Sequence, residues 1–561
     1  MRSVCRYTIT FGIIIIAATA HAQNEQNREE PGFGADPRVS TGPIAPLLEN
    51  LGTHTMPVTT SVDRARTFFN QGLSLAYAFN HNEAKRAFQE AIRLDPEFTM
   101  GFWGWALVLG PNINRPMPAA DGPEATNAIQ EALKLSANAS GLEKDLINAL
   151  AKRYVANPGD DRSGLDQDYN RAMADLYAKY PNDPDVGTLY AASVMNLMPW
   201  AYWSKDRKPR PQTQHAMEVL EKVIADDADH TGARHYYIHI VEEHYPTKAE
   251  EPADELIELA PGSGHLLHMP SHIYMRVGRY DSAFESNRLA VLADEGYLTA
   301  CRQQGIYPMS YYPHNVHFLS WAAQREGRSA DAIAGARKVG AKALESESVG
   351  ADFALHQSFM SQPIYVLIRF GKWTELLQVP TPHKDYVFAR GLWHLGRGIA
   401  YANSNRHRQA QEELKELKRL METTAAEEEF VGFANAQSVL RLASDLLAGE
   451  IAVKRGNFDD ALPILERAVR LEDGMVYNEP PDWPLPIRHS LGAALLEAGR
   501  ADEAETVYWE DLKRNPDNGF ALFGLHQALK TQGNEAGAAD VWTRFEEAWA
   551  KADFDLTSSR Y

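Results

Sequence analysis

The sequence predicts an all-α protein, a right-handed solenoid of stacked helix pairs. Apolar residues recur with the helical period, and the polar–apolar alternation that marks a strand is absent. Small residues recur twelve positions apart, at Gly72 and Ala84, Gly398 and Ala410, Gly449 and Ala461, and Gly492 and Ala504. Small side chains let two helix axes approach closely, so a small pair repeated at one spacing indicates a repeated helix pair. Such units bury their apolar faces by stacking on their neighbours.

The clearest unit spans residues 65–98. It reads ARTFFNQGLSLAYAFNHNEAKRAFQEAIRLDPEF, in which Gly72 is followed by Ala84, Phe88 and Pro96. This pattern resembles the tetratricopeptide repeat (TPR), in which two antiparallel helices are closed by a proline. The resemblance implies a TPR-like solenoid whose first helices line a concave groove.

The chain divides into five predicted segments. These are a signal peptide (1–22), a flexible or extended lead-in (23–50), N-terminal TPR-like helices (51–180), central histidine-rich TPR-like helices (181–346) and C-terminal TPR repeats (347–561). The signal peptide has Arg2 and Arg6 before an apolar run too short to span a bilayer comfortably, and a small-x-small cleavage site at residues 20–22. We therefore expect a periplasmic or secreted protein that starts near Gln23.

Composition limits the partners. The formal net charge is −19, and an acidic surface repels nucleic acid and anionic lipid, so we expect no nucleic-acid partner. No later apolar run is long enough to suggest a membrane span after signal cleavage. Cys301 is the one cysteine beyond the signal peptide, so we expect no internal disulfide, and stability must come from core burial.

Residues 230–317 concentrate side chains that bind metals or transfer protons. Nine of the 19 histidines fall here. Spacings of four place His235 and His239 on one helix face, and likewise His268 and His272. Two such imidazoles and a ligand from a neighbouring helix form a reasonable transition-metal site, and imidazole suits zinc, copper and iron.

The repeat register gives the candidate ligands. A histidine lies six residues before each of the helix-crossing positions Val241, Ser271 and Ser320, so three consecutive first helices would direct imidazoles towards one space. The predicted metal ligands are His235, His239, Glu242, His265, His268, His272, His314 and His317. Glu242 is also a possible general base, because it lies on the helix face of the first histidine.

The histidine segment also resembles a group of bacterial TPR proteins. They carry His-Tyr-x-Ile-His followed by His-x-x-His-Met-Pro-Ser-His-Ile, here residues 235–239 and 265–273. The resemblance supports the fold and implies no established activity. Pro270 lies inside the second motif, and proline disrupts a helix interior. We therefore expect a helix to begin near Met269 or Pro270, with the preceding histidines in its entry turn.

Three interpretations of the histidines stay open. They form a transition-metal site, a polar groove that binds a peptide, protein or small molecule without metal, or a packed core bonded to backbone. Aromatic and proline-rich loops at 198–214 and 473–490, with Trp203 and Trp483, either reach over the groove or fix long connections to the surface. No known catalytic motif occurs, so the sequence leaves enzymatic activity undecided.

Overall fold

The structure, a computed structural model, describes residues 36–157, 159, 161–301, 307–345 and 354–561. The predicted signal peptide (1–22) and residues 23–35 of the lead-in lie outside the described residues. Within these ranges the chain forms 26 α-helices and no strand, with three isolated β-bridges. The predicted all-α class of stacked helix pairs is confirmed. No helix in this part of the chain is both long and apolar enough to cross a bilayer.

The chain divides into two compact units. The first comprises the described residues up to Leu48 together with His54–Tyr236, and the second comprises Glu49–Thr53 with Tyr237–Tyr561. The division falls within α9 (Thr231–Val241), so the predicted segment 181–346 contributes to both units. The helices of the first unit are α1 (Asp63–Tyr77), α2 (His81–Leu94), α3 (Thr99–Leu109), α4 (Gly122–Leu135), α5 (Gly141–Ala151), α6 (Ser163–Lys179), α7 (Pro184–Leu197) and α8 (Pro211–Asp226).

The second unit holds the remaining helices. They are α10 (Glu250–Leu259), α11 (Gly264–His268), α12 (Pro270–Val277), α13 (Tyr280–Cys301), α14 (Tyr312–Arg325), α15 (Ser329–Glu345), α16 (Ala354–Arg369), α17 (Trp373–Gln378), α18 (Val387–Asn403), α19 (His407–Met421), α20 (Thr424–Glu428), α21 (Ala436–Lys454), α22 (Phe458–Asp473), α23 (Ile487–Glu497), α24 (Ala501–Leu512), α25 (Gly519–Thr531) and α26 (Glu535–Ala548). A π-helical turn at Tyr307–Tyr311 precedes α14. Consecutive helices pack as antiparallel pairs, as the repeat pattern predicts.

Small residues set the helix approach in the first pair. A Cβ at Gly72 of α1 would lie 2.7 Å from the ring of Phe88 of α2, and a Cβ at Gly104 of α3 would meet the same ring. Phe88 is fully buried. Both neighbouring helices therefore approach α2 through the space of a missing side chain, as the sequence predicts for Gly72.

Residues 36–48, expected as a flexible or extended lead-in, are tied to α1 and α2. The amide of Ile44 donates to Glu90 and the amide of Leu48 donates to Gln71, each at 2.8 Å. The carbonyl of Ile44 accepts from Arg86 at 2.6 Å. These polar side chains fix residues 44–48 to the helix pair, whereas residues 37–39 form a short 3₁₀ helix.

In the later repeats of the second unit, glycines also allow neighbouring helices to approach closely, with one difference. A Cβ at Gly449 would lie 2.6 Å from Leu465 of the paired helix α22, as predicted. At Gly398 the nearest atoms belong to Leu447 of α21, at 2.5 Å, rather than to Ala410 of the paired helix α19. The small residue there serves the contact with the next helix pair.

The helix break at Pro270 falls where the sequence predicts it. Helix α12 begins at Pro270, whose missing amide hydrogen removes one main-chain hydrogen bond. Met269 nevertheless has helical dihedral angles, φ −52° and ψ −38°, and its amide donates to the carbonyl of His265 at 3.0 Å. The helical path therefore continues through the break and keeps His268 and His272 on one face.

Candidate metal centre

Five segments of the second unit supply the polar side chains of the candidate site. Helix α9 carries His239 and is followed directly by Glu242, α11 carries His265 and His268, α12 carries His272, α14 carries His314, and the loop between α22 and α23 carries Glu479. We call these seven residues the histidine cluster. Helix α11 packs against α13 and α14, and α12 packs against α13, so segments distant in sequence meet here.

Three imidazoles form the centre of the cluster. One nitrogen from each of His268, His272 and His314 lies within 4.8 Å of the others. The Nε2 atoms of His268 and His272 are 3.0 Å apart. The ring of Phe318 lies 4.6, 4.5 and 5.0 Å from the three imidazoles and forms an apolar floor. Converging imidazole nitrogens above an apolar surface are the donor set that zinc, copper and iron accept.

The outer nitrogen of His268 is held by an amide. Its Nδ1 lies 2.7 Å from Oδ1 of Asn287 on α13. The amide nitrogen of Asn287 donates to the carbonyl of Ala283 at 2.7 Å, which fixes the orientation of the amide. Since an amide oxygen only accepts, Nδ1 of His268 carries the hydrogen. The neutral ring therefore presents a lone pair at Nε2.

Nδ1 of His272, the ring nitrogen that points away from His268, lies beside two carboxylates. It is 3.1 Å from Oε2 of Glu242 and 3.2 Å from Oε2 of Glu479. Ionised carboxylates only accept, so Nδ1 of His272 carries a hydrogen as well. A neutral His272 would then also present a lone pair at Nε2.

Two lone pairs would therefore face each other across 3.0 Å. They repel unless a proton or a cation lies between them. Burial opposes charge on His272, but the carboxylates of Glu242 and Glu479 more than offset it and raise the pKa of His272 to about 9. Burial and neighbouring positive charge hold the pKa values of His268 and His314 well below the usual range. A proton shared from His272 to His268 relieves this repulsion.

The two carboxylates differ in their electrostatics. Burial opposes ionisation of Glu242, but His272 and His239 lower its pKa to about 2. Burial raises the pKa of Glu479, which Arg276 and His272 only partly counter. The Arg276 guanidinium lies 3.7 Å from Glu479 and 5.5 Å from the ring centre of Tyr477. Glu242 therefore supplies the fixed negative charge of the cluster.

His239 and His265 surround the central group. The His239 ring lies 5.7 Å from that of His272, and its Nδ1 is 3.6 Å from Glu242. The His265 ring lies 5.8 Å from His268 and 5.0 Å from Tyr311. Their positions suit an outer shell or additional ligands rather than the central group.

Two predicted ligands have other surroundings. His235 belongs to the first unit, where its Nδ1 donates to the carbonyl of Tyr77 at 2.5 Å and its ring stacks on Tyr236. His317 lies on α14, but its ring packs edge-on against Phe359 of α16, with a centroid distance of 6.0 Å, and burial lowers its pKa to about 4. His317 follows His314 by three residues, which is less than a full helical turn. Its side chain therefore points in a different direction from that of His314, here towards α16.

Two residues of the site were not predicted. Glu479 lies in the loop 473–490, and the pattern Glu-Pro-Pro in a long aromatic loop was the one available signal. Asn287 lies on α13, where an asparagine within a helix gives no signal in the sequence. Only the packing of α11 on α13 reveals its role.

The aromatic loops prove to be packed. Trp483 is 3% exposed, donates to the carbonyl of Leu485 at 2.6 Å, and meets the ring of Tyr365 edge-on at 5.5 Å. Trp203 is 8% exposed. Trp483 fixes its loop to α16, and the burial of both tryptophans leaves neither with an open ligand face.

Comparisons with known proteins agree with the repeat. The tetratricopeptide repeat family model matches residues 65–98, so the repeat predicted there is confirmed. No curated protein matches the chain. A solved structure of the human IFIT1 dimer with m7Gppp-AAAA is 12% identical over 88% of this chain and 92% of that chain, with a TM-score of 0.32.

Two further solved structures show a similar degree of likeness. Yeast Tom70 is 12% identical over 84% of this chain and 90% of that chain, with a TM-score of 0.28. The TPR domain of P58(IPK) is 11% identical over 84% and 99%, with a TM-score of 0.22. At such low TM-scores, no conclusion about function is drawn from these likenesses.

Proposed function

We propose that this protein binds a transition-metal ion, zinc, copper or iron, through His268, His272 and His314. The observation that carries the proposal is the 3.0 Å approach of two Nε2 atoms, since Nδ1 of His268 donates to Asn287 and Nδ1 of His272 lies 3.1 Å from the Glu242 carboxylate. Metal-binding histidines in proteins usually donate their second N–H to such a partner. Asn287 provides this arrangement for His268, and two carboxylates lie within 3.2 Å of Nδ1 of His272.

The donor set favours an open site. Three protein ligands leave a position for water or a small ligand, whereas a closed structural zinc site takes four. His314 is half-buried while the other two are buried, so the cluster is least enclosed at His314. Glu242, predicted as a ligand or general base, acts in this proposal as the acceptor that orients His272. His239, His265 and Glu479 are further candidate ligands.

The stacked-helix fold also supports a protein-binding scaffold, since solenoids of this type present extended concave surfaces. A peptide or small molecule bound without metal is the competing proposal. The burial of Trp203 and Trp483 removes the aromatic loops as support for it, and the fold remains its support.

The test is elemental analysis of protein purified without a metal-affinity tag. We expect about one equivalent of metal in the wild type and none in the double variant His268→Ala/His272→Ala. A matched pair lies on one helix: His314→Ala should lose metal affinity, and His317→Ala, whose ring packs on Phe359, should retain it. Substoichiometric wild-type metal, or equal metal in the wild type and the double variant, would leave the cluster as a hydrogen-bonding surface.

Export is part of the proposal. Residues 1–22 carry the charge and hydropathy pattern of a signal peptide, so the mature chain would bind its ion in the periplasm or outside the cell. Intact-mass measurement of protein recovered from an exporting host is expected to give a chain that starts near Gln23. Retention of the first 22 residues would contradict export without affecting the metal proposal.

A further inference from the structure

A small cavity lies between helices of the later repeats in the second unit. Its volume is about 40 Å³, and it is bordered by the end of α16, by α18, α21 and α23, and by Arg560 and Tyr561. A buried water molecule needs about 10–15 Å³ of such space, so the cavity has room for about three waters or for one ion of a few atoms. A ligand of this cavity is therefore small.

Arg369, the last residue of α16, is a buried cation at this cavity. It is 8% exposed. Its Nη1 donates to Nδ1 of His489 at 2.9 Å, and its Nη2 donates to the carbonyl of Pro484 at 3.3 Å. Its Nε is also buried and has no protein acceptor. The two contacts fix the guanidinium and leave one strong donor for a ligand.

Among the described residues, no carboxylate accepts a hydrogen bond directly from Arg369. The carboxylate of Asp511 accepts from Nε2 of His489 at 3.0 Å, so an imidazole separates it from the guanidinium. Burial and the neighbouring guanidinium of Arg325 lower the pKa of Arg369 to about 9. Arginine nevertheless stays charged in proteins. A counter-charge stabilises a buried cation, and an anion in the cavity would supply one.

Arg560 is a second cation at the cavity with the same feature. Its Nη1 donates to Oε2 of Glu450 on α21 at 2.8 Å, and its Nη2 donates to Oε1 of Glu497 on α23 at 3.0 Å. Its Nε is buried and has no protein acceptor. The cavity is thus bordered by two fixed guanidinium groups, each with an Nε–H to donate.

Glu450 supplies an acceptor at the same cavity. It is 2% exposed, and its Oε1 is buried without a protein donor. Burial raises the pKa of Glu450, which Arg560, Lys454 and Ser490 only partly counter. The carboxylate therefore favours a ligand that brings a hydrogen, and it repels a bare anion.

We propose that this cavity binds a small oxyanion that carries one hydrogen, of the chemical class of bicarbonate. The Nε–H groups of Arg369 and Arg560 donate to its oxygens, and its hydroxyl donates to Oε1 of Glu450. Two donors and one acceptor match the hydrogen-bonding groups of this ligand. The site shares no residue with the histidine cluster and needs no metal.

Isothermal titration calorimetry of the full-length protein with sodium bicarbonate and with sodium nitrate tests the proposal. Nitrate is similar in size but has no hydrogen, so it can use Glu450 only after the carboxyl takes up a proton. At about pH 8, well above the usual pKa of glutamate, we expect nitrate to bind about tenfold more weakly than bicarbonate, or weaker still. Treatment with a metal chelator should leave bicarbonate binding unchanged, which separates this site from the histidine cluster.

Three variants test the roles of the side chains. Arg369→Gln keeps an N–H for His489 but removes the charge, so bicarbonate affinity should fall by about tenfold or more. Glu450→Gln removes the repulsion of a bare anion, so nitrate should then bind as well as bicarbonate. Glu497→Gln is the matched control, because Glu497 also bonds Arg560 but does not border the cavity, and it should change neither affinity.

Two results would overturn the proposal. The first is a wild type that binds no bicarbonate, or that binds nitrate equally well, since neither fits a site with Glu450 as acceptor. The second is bicarbonate binding that disappears with the chelator, or that is unchanged in an Arg369→Gln protein shown by circular dichroism to be folded. Either outcome would place the bound anion elsewhere in the molecule.

Discussion

Two groups of buried histidines, one in each unit, differ in how their protons are placed. In the first unit His54, Asp185 and His230 bring ligand atoms within 4.8 Å of one another, and in the second unit His268, His272 and His314 do the same. Both groups have the residue types of a metal site. Proximity alone therefore does not separate them.

In the first group, the ring nitrogens that face the other members already carry hydrogens. Oδ1 of Asp185 accepts from the hydroxyl of Tyr77 at 2.6 Å and from Nε2 of His54 at 3.0 Å. Nδ1 of His230 accepts from the amide of Ala233 at 3.1 Å, so the neutral ring carries its hydrogen on Nε2. That hydrogen points towards Thr188, whose hydroxyl is 3.1 Å away. Every inward nitrogen therefore already carries a hydrogen.

The second group has the opposite arrangement. Asn287 holds the hydrogen of His268 on Nδ1, and the carboxylates beside Nδ1 of His272 favour a hydrogen there. The two Nε2 atoms therefore face each other and need a shared proton or a cation between them. The comparison teaches that the acceptor behind each imidazole, rather than the number of imidazoles, decides whether a cluster can receive a metal. Four predictions test the comparison of the two units, from the largest expected effect to the smallest.

Asp185→Ala should cost the largest free energy of unfolding. Its carboxylate is the common acceptor for His54 and Tyr77, and His230 lies 3.6 Å from it. Removing one partner of a buried charge pair typically costs about 3–5 kcal/mol. Urea unfolding measures this loss, and elemental analysis should show unchanged metal. The exposed Asp206→Ala serves as control, with a change within about 0.5 kcal/mol. Lost metal at normal stability would make the first group a metal site.

Asn287→Ala should weaken metal binding by about 10- to 100-fold, the usual effect of losing a partner behind a ligand. The amide oxygen holds the hydrogen of His268 on the outer nitrogen, so its loss frees the ring to change tautomer. Competition with a chromophoric chelator measures the affinity. Asn287→Asp keeps an acceptor and should retain most of the affinity. Equal affinities for all three proteins would show that the tautomer of His268 does not control the site.

Overpacking should affect both units alike, because both rely on the same helix approach. Gly492→Leu places a side chain into the ring of Tyr508, and Gly104→Leu does so against Phe88. Each should lower the free energy of unfolding by about 1–3 kcal/mol. Gly164→Ala, which meets nothing within 4 Å, is the control and should be neutral or slightly stabilising. A silent Gly492→Leu would mean that the repeat register there is wrong.

The pH dependence of the first group should be the smallest effect. Burial opposes charge on His54, but Asp185 and Asp227 outweigh it and raise its pKa above 6.5. The stabilisation is therefore fully present below about pH 6.5 and is lost as the pH rises through the folded-state value. His230, stacked on the His54 ring at 4.2 Å, and Tyr77, whose ring centre is 6.2 Å away, are further titratable neighbours.

Urea unfolding of the wild type and His54→Gln between about pH 5.5 and pH 9 measures this dependence. The stability advantage of the wild type should shrink as the pH rises. The exposed His383→Gln should give no trend. An advantage that grows with pH would show that His54 is neutral in the folded protein, and the contrast between the groups would then rest on Asp185 alone.

The sequence by itself determined the features that depend on neighbours along the chain. Recurring small residues such as Gly72 and Gly449 predict helix pairs, because helix approach depends on local side-chain size. The four-residue spacing of His268 and His272 predicts a shared face, because helical rotation is fixed. Pro270 likewise predicts the start of α12.

Only the tertiary structure decided what stands behind each imidazole. Asn287 and Glu479 reach the cluster from a later helix and a distant loop, so no spacing in the sequence connects them to the histidines. The orientation of His317 towards Phe359 and the burial of Trp483 depend in the same way on which elements pack together. The sequence thus placed imidazoles near one another, and packing alone set their tautomers, because a ring nitrogen keeps or yields its hydrogen according to the atom that it faces.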